Sequence, residues 1–214
     1  MKKFFVIFVL FALPLGAYLF FASGVNNFAR LPVLTAELYP LEEFENSEGE
    51  EYSFQKRITI LTFPGKEPAE YLTNAYHLAE KIYDPYHEFK DLQFVSVLPE
   101  GTEAEIVQLK KDLSEVVELS KWRFVTGSED QVNQLFSSLG SNLELDSDLS
   151  SPNAFIIDKN GKLRGRDQDD DGSELYGYDT GSIGVLNNKM NDDVKVILAE
   201  YRLELKKYKE NQEE

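Results

Sequence analysis

Apolar residues fall along this chain in two rhythms. The stretches "RITILTF" (57–63) and "LQFVSVLP" (92–99) are almost continuously apolar or β-branched and of strand length, and "WRFVTG" (122–127) is a shorter version. "NAFIIDKNGKLRGR" (153–166) reads as two strands joined at Lys159-Asn160-Gly161, because Asn-Gly supplies the backbone conformations of a tight hairpin. Between them the spacing lengthens to that of helices. Tyr71, Leu72, Ala75, Leu78, Ala79 and Ile82 share one face after Pro68, which suits a first helical turn. Ile106, Leu109, Leu113 and Val116 share another, behind a Thr102/Glu105 capping-box pattern. "QVNQLFSSLG" (131–140) predicts a short helix, and Val194, Ile197, Leu198, Tyr201 and Leu205 predict a closing one.

The predicted order is strand, helix, strand, helix, strand, helix, hairpin, helix. Parallel crossovers plus an antiparallel pair imply a mixed sheet between helices, a three-layer α/β/α domain. The Pro- and acid-rich residues 25–42 read as a linker, 43–205 as the domain and 206–214 as a charged tail. Residues 1–24 carry a different signal: Lys2 and Lys3 precede an uncharged run from Phe4 to Ala22, close to the ~20 residues that cross a bilayer. The flanking lysines predict a transmembrane anchor with a cytoplasmic N-terminus and a periplasmic or extracytoplasmic domain. A cleaved signal peptide, favoured by Ala22, Ser23 and Gly24, is the competing reading.

Composition narrows the chemistry. The absence of cysteine excludes a disulfide framework, a thiol nucleophile and a dithiol redox pair. A net charge of -16 argues against nucleic acid, whose binding draws on Lys and Arg contacts to phosphate. No Gly-rich phosphate loop or Ser-His-Asp arrangement is present, and His77 and His87, the whole histidine content, lack a third metal ligand. In "DQDDDG", Asp167, Asp169, Asp171 and Gly172 match the opening of a calcium loop, but Tyr178 occupies the twelfth position, where a bidentate Glu belongs. A solvated acidic loop and a calcium site are therefore both open readings. Glu67 beside a helix start is held in its charged form by the helix dipole, which makes it a poor proton donor.

The strand-to-helix elbow "FPGKEP" (63–68) carries a resemblance. With "FVSVLPEGTEAEIVQL", "WRFVTG" and "FIIDKNGKLRG" in order, the chain from about Glu43 to Tyr201 resembles the Sco/SenC family, membrane-anchored thioredoxin-fold copper chaperones of cytochrome oxidase assembly. The family elbow reads Cys-Pro-x-x-Cys-Pro. Here both prolines, Pro64 and Pro68, remain, while Phe63 and Glu67 stand at the cysteine positions and Ser150 where the copper-binding histidine is expected. Copper(I) selects thiolate, thioether or imidazole, so these replacements argue against copper transfer. Pro152 lies six residues before Asp158, similar to the cis-proline of membrane-tethered thioredoxins. A cis Ser151-Pro152 bond would leave backbone beside the elbow free to pair with a peptide, whereas a trans bond would simply open a strand.

The resemblance implies a thioredoxin-like fold and a non-enzymatic, redox-inactive protein that binds a protein partner, with respiratory oxidase or its assembly factors as candidates. Phe63, Pro64, Glu67, Pro68, Ser150 and Pro152 are the expected partner surface. The alternative is an extracytoplasmic calcium module built on Asp167, Asp169 and Asp171.

Overall fold

The computed structural model describes residues 30–45 and 52–210, together with Leu10, Ala12 and Pro14. Apart from those three residues, the predicted anchor lies outside the described residues, as do the last residues of the tail. Among the described residues no helix is long and apolar enough to cross a membrane.

The sheet has seven strands. These are β1 (Val33–Thr35), β2 (Ile58–Pro64), β3 (Leu92–Pro99), β4 (Trp122–Gly127), β5 (Ser150–Ile157), β6 (Leu163–Arg164) and β7 (Tyr178–Asp179). Their order across the sheet is β1-β6-β5-β2-β3-β4, with β7 paired to β5 off the main path. β2, β3 and β4 run parallel and the remaining pairings are antiparallel, so the sheet is mixed as expected. The helices are α1 (Leu72–Leu78), continued by a π-helical turn at Ala79–Tyr83, then α2 (Glu103–Ser114), α3 (Glu129–Ser138) and α4 (Asn191–Glu210). β2 and β3 are buried along their entire length, the property of central strands covered on both faces.

Two cores flank the sheet. On one side Ile58, Ile60 and Phe94 pack with Ala75 and Leu78 of α1, Leu113 of α2 and Ile197 of α4. On the other, Leu61, Phe63, Val95 and Phe155 pack with Val132, Leu135 and Phe136 of α3. The expected three layers are thus present, with α3 alone among the described helices of at least a few turns on its side.

Three local expectations change. The folded body begins by Leu31 rather than Glu43: Leu31 and Leu41 are buried and β1 forms a sheet edge against β6. A buried Arg164 anchors this segment by donating from Nε to Leu31 O at 2.7 Å, while pairing with Asp158 at 2.9 Å and Glu200 at 2.7 Å. Thr102 does not cap α2, because its hydroxyl donates instead to Pro99 O at 2.8 Å. The capping box forms at α3, between Ser128 and Gln131. Finally, no described peptide bond is cis, so Ser151-Pro152 is trans.

Candidate functional site: an acidic cleft at the elbow

β2 ends at Pro64, and the chain turns through Gly65 before Pro68 leads into α1. Gly65 is needed there twice over. Its φ is +78°, and a Cβ would lie 2.6 Å from Asp148 Oδ2 and 2.7 Å from Ser150 Cβ. The elbow is therefore pressed against the segment that precedes β5. Lys66 N donates to Asp148 O at 2.8 Å, and the register sets Pro64 opposite Ser150 and Phe63 opposite Ser151. Leu149 between them adopts a left-handed φ of 67°, an unusual conformation for a branched residue and a sign of local strain.

β5 bulges between these pairs and Phe155, which faces Leu61. Asn153 and Ala154 turn to β7 instead. Pro152 sits in the bulge, as expected for a residue with no N–H to give a ladder. Its carbonyl accepts from Thr180 N at 2.9 Å and Thr180 Oγ1 at 2.7 Å. The backbone acceptor beside the elbow is thus used internally, which corrects the expectation of a free peptide-pairing edge there.

The result is a cleft of about 210 Å³. Pro64, Glu67, Ser150 and Pro152 line it, so four of the expected surface residues meet at one place. Phe63 does not join them. It is fully buried, edge-on to Phe136 at 5.2 Å and Phe155 at 6.1 Å, because every residue of β2 is covered on both sides of the sheet. Its side chain is core, and the expectation that it contributes to a partner surface is withdrawn. Pro68 is likewise buried, and it does not line the cleft.

Sequence reasoning missed the other walls. Asp146 and Asp148 come from the segment before β5, and Glu70, Tyr71 and Asn74 from the start of α1. The "ELDSD" run ahead of Ser150 was the only available local signal. Glu67, Glu70, Asp146 and Asp148 give the cleft four carboxylates, and no Lys or Arg lines it. Lys66, the chain neighbour of Glu67, pairs with Glu129 at 2.5 Å. Asp148 Oδ1 accepts from Ser150 N at 3.2 Å and Ser150 Oγ at 2.7 Å, which aims the carboxylate without cancelling its charge. Tyr71 adds a second anomaly. Its hydroxyl is the buried side-chain polar atom that lacks a hydrogen-bond partner among the described residues. Burial pushes it up to about 12, and the neighbouring Thr180 and Thr62 hydroxyls only partly oppose that rise.

The acidic loop is built otherwise. Asp169 accepts from Lys189 and, at 3.3 Å, from Arg166. Arg166 in turn grips Asp193 at 2.7 Å, and the Tyr178 hydroxyl donates to the same carboxylate at 2.7 Å. Asp171 accepts from Ser173 N at 2.9 Å and Ser173 Oγ at 2.6 Å, and Asp167 points to solvent in an exposed position. These carboxylates face different partners rather than a common centre. No group of three His, Asp or Glu side chains among the described residues is arranged to hold a metal ion. The histidines are also apart: His77 Nδ1 meets Thr180 O at 3.1 Å, while His87 stacks on Tyr83.

No protein-family model matches the chain, and no curated protein sequence matches it. Solved structures do. A SCO1/SenC family lipoprotein from Bacillus anthracis str. Ames superposes with a TM-score of 0.52 at 18% identity, covering 78% of this chain and 99% of that one. BsSco, described as a member of the Sco family of cytochrome c oxidase assembly proteins and as carrying a disulfide switch, gives 0.52 at 15% identity over 78% and 97%. A putative electron transfer protein from Aquifex aeolicus VF5 gives 0.52 at 13% over 76% and 97%. The Sco/SenC resemblance read from the residues is therefore matched by these structures at the level of a shared thioredoxin-like fold, in a chain that has no cysteine with which to make a disulfide.

Proposed function

We propose that this chain is a non-catalytic, membrane-anchored protein of Sco/SenC-like fold whose elbow cleft binds a protein partner outside the cytoplasm, in respiratory oxidase assembly. The observation that carries the reading is the convergence of Pro64, Glu67, Ser150 and Pro152 on one open cleft, where Glu67 and Ser150 stand at positions that in the resembled family hold a cysteine and the copper-binding histidine. The scaffold that presents a site is retained while thiol and imidazole chemistry is gone. A surface kept without its chemistry serves recognition. The oxidase setting rests on the likeness to BsSco and on the apolar run Phe4 to Ala22 that would hold the domain at the membrane.

The test is photo-crosslinking in native membranes, with a photoreactive residue replacing exposed Glu67 and a control replacing Asp170, whose side chain is 84% exposed in the acidic loop. Adducts with oxidase or oxidase-assembly subunits from position 67 alone are the expected result. The same adducts from both positions, or none from 67, would remove the elbow as the docking surface.

A further inference from the structure

We propose, resting on the membrane-anchored reading, that a cationic groove at the end of the sheet opposite the elbow binds anionic phospholipid headgroups and seats the domain on the bilayer. β2 and β3 start at this end, at Ile58 and Leu92, and α4 passes them at Leu198 and Tyr201. With Phe89, these residues give a groove of about 210 Å³ an apolar floor. Lys90, Lys159 and Arg202 stand around it. Lys159 pairs with Asp91 at 2.6 Å and lies over the Tyr201 ring, and Arg202 lies over Phe89. Two further cations flank the groove: Lys56 N donates to Lys159 O at 2.8 Å, and Arg57 precedes Ile58, whose N donates to Asp91 O at 2.7 Å. Lys56, Arg57 and Lys90 are exposed, and no ion pair holds any of them among the described residues. Of the acids nearby, Asp91 is taken by Lys159, Asp158 and Glu200 are taken by Arg164, and Glu88 is left exposed beside Phe89. The groove is therefore positive in a chain whose net charge is -16.

Position selects the occupant. Leu31 O accepts from Arg164 Nε at 2.7 Å, and the same guanidinium holds Glu200, one residue before Tyr201. The segment that follows the apolar run thus joins the domain close to the groove, with Arg30 exposed at the junction. From Ala22 to Leu31 the chain can reach at most about 30 Å, so an anchored domain keeps the groove near the bilayer. Each Lys or Arg at an anionic membrane surface strengthens attachment about fivefold. Acids elsewhere on the domain are repelled by the same surface, which turns the elbow cleft away from the bilayer and towards a partner. An apolar floor beneath cations fits an amphiphile, whereas free phosphate would leave that floor uncovered.

Because the chain has no cysteine, a fluorophore can be carried on a single introduced one, Asn160→Cys beside Lys159 or Glu67→Cys at the elbow. The full chain is reconstituted in vesicles of phosphatidylcholine, alone or mixed equally with phosphatidylglycerol, that contain a headgroup spin-labelled lipid as quencher. The expected result is quenching at position 160 about tenfold stronger in the anionic vesicles, lost in about 1 M salt, and no such difference at position 67. The R57Q/K90Q variant should weaken that quenching at least about tenfold without moving the urea midpoint, since neither residue has an ion pair to lose. Equal quenching at 160 in neutral and anionic vesicles, or in the variant, would overturn recognition of headgroup charge. Crosslinks from position 160 to a protein in native membranes, with no quenching, would make the groove a protein interface and overturn the lipid. Flotation separates this from the anchor. A chain that floats with neutral vesicles but stays unquenched at 160 in anionic ones keeps the anchor and loses the groove. A chain that floats with anionic vesicles alone, quenched at 160, keeps the groove and loses the anchor; flotation with neither removes both.

Discussion

Two acidic regions of this chain look alike in sequence and opposite in structure. In the loop around Asp169, the carboxylates are met by Arg166, Lys189 and Ser173, and a second tier, Asp193 with Tyr178, holds Arg166 in place. At the elbow, Glu67, Glu70 and Asp146 meet no cation among the described residues, and a phenol beneath them is unpaired. The first arrangement has spent its charge on holding the fold together. The second has left charge and hydrogen-bonding capacity unspent, at the cost of like-charge repulsion and one desolvated hydroxyl. A sequence rich in aspartate says nothing about which of these it will be; the location of the cations does.

The contrast can be broken or sharpened by substitution. Phe63→Ala should have the largest effect, about 3–5 kcal/mol of stability in urea unfolding, because it empties a fully covered site among Phe136 and Phe155. Such a loss would show that the elbow is core below and site only above; a change under about 1 kcal/mol would return Phe63 to the surface. Asp193→Ala comes next, at about 2–3 kcal/mol, since it strands a largely covered Arg166 and the buried Tyr178 hydroxyl.

Tyr71→Phe should act in the opposite direction and stabilise the protein by about 1 kcal/mol at neutral pH, by removing a polar atom that burial leaves unpaired. The pH dependence follows from the same residue. Its hydroxyl ionises near 10 in the unfolded chain and about 12 in the folded one, so the folded state binds the proton more tightly. Stability is full below pH 10 and falls as the pH rises towards 12, and the phenylalanine variant should lack that share of the alkaline loss in melts taken between pH 9 and 12. The smallest effect belongs to the E67Q/E70Q variant, within about 0.5 kcal/mol of the parent in urea, because exposed carboxylates without partners hold little of the fold together. A loss comparable to that of Asp193→Ala would mean that the cleft is structural after all.

Much of the framework was legible because it depends on periodicity. Ile58 to Phe63 and Leu92 to Pro99 read as buried strands from their near-continuous apolar run, and the hairpin at Asn160-Gly161 from turn chemistry. The same run held the evidence against Phe63 as a surface residue, since a strand covered on both faces spares no side chain for solvent. β1 and β7 escaped notice because three- and two-residue strands have no period to detect. The Thr102 cap failed because its backbone, at φ -103° and ψ 18°, does not take the extended form that lets a hydroxyl reach back to the helix.

By itself the sequence determined the layering of the fold, the absence of thiol chemistry and the strongly acidic composition, all of which follow from residue type and local spacing. Which acids are free was decided only by tertiary structure. Asp146 and Asp148 lie about 80 positions from Glu67, and the antiparallel pairing of β5 with β2 brings them to one cleft. Lys189 lies 20 positions from Asp169, yet the approach to α4 brings it close enough to claim that carboxylate. Charge is written residue by residue, but neutralisation depends on distances of a few ångströms, and those are set by packing.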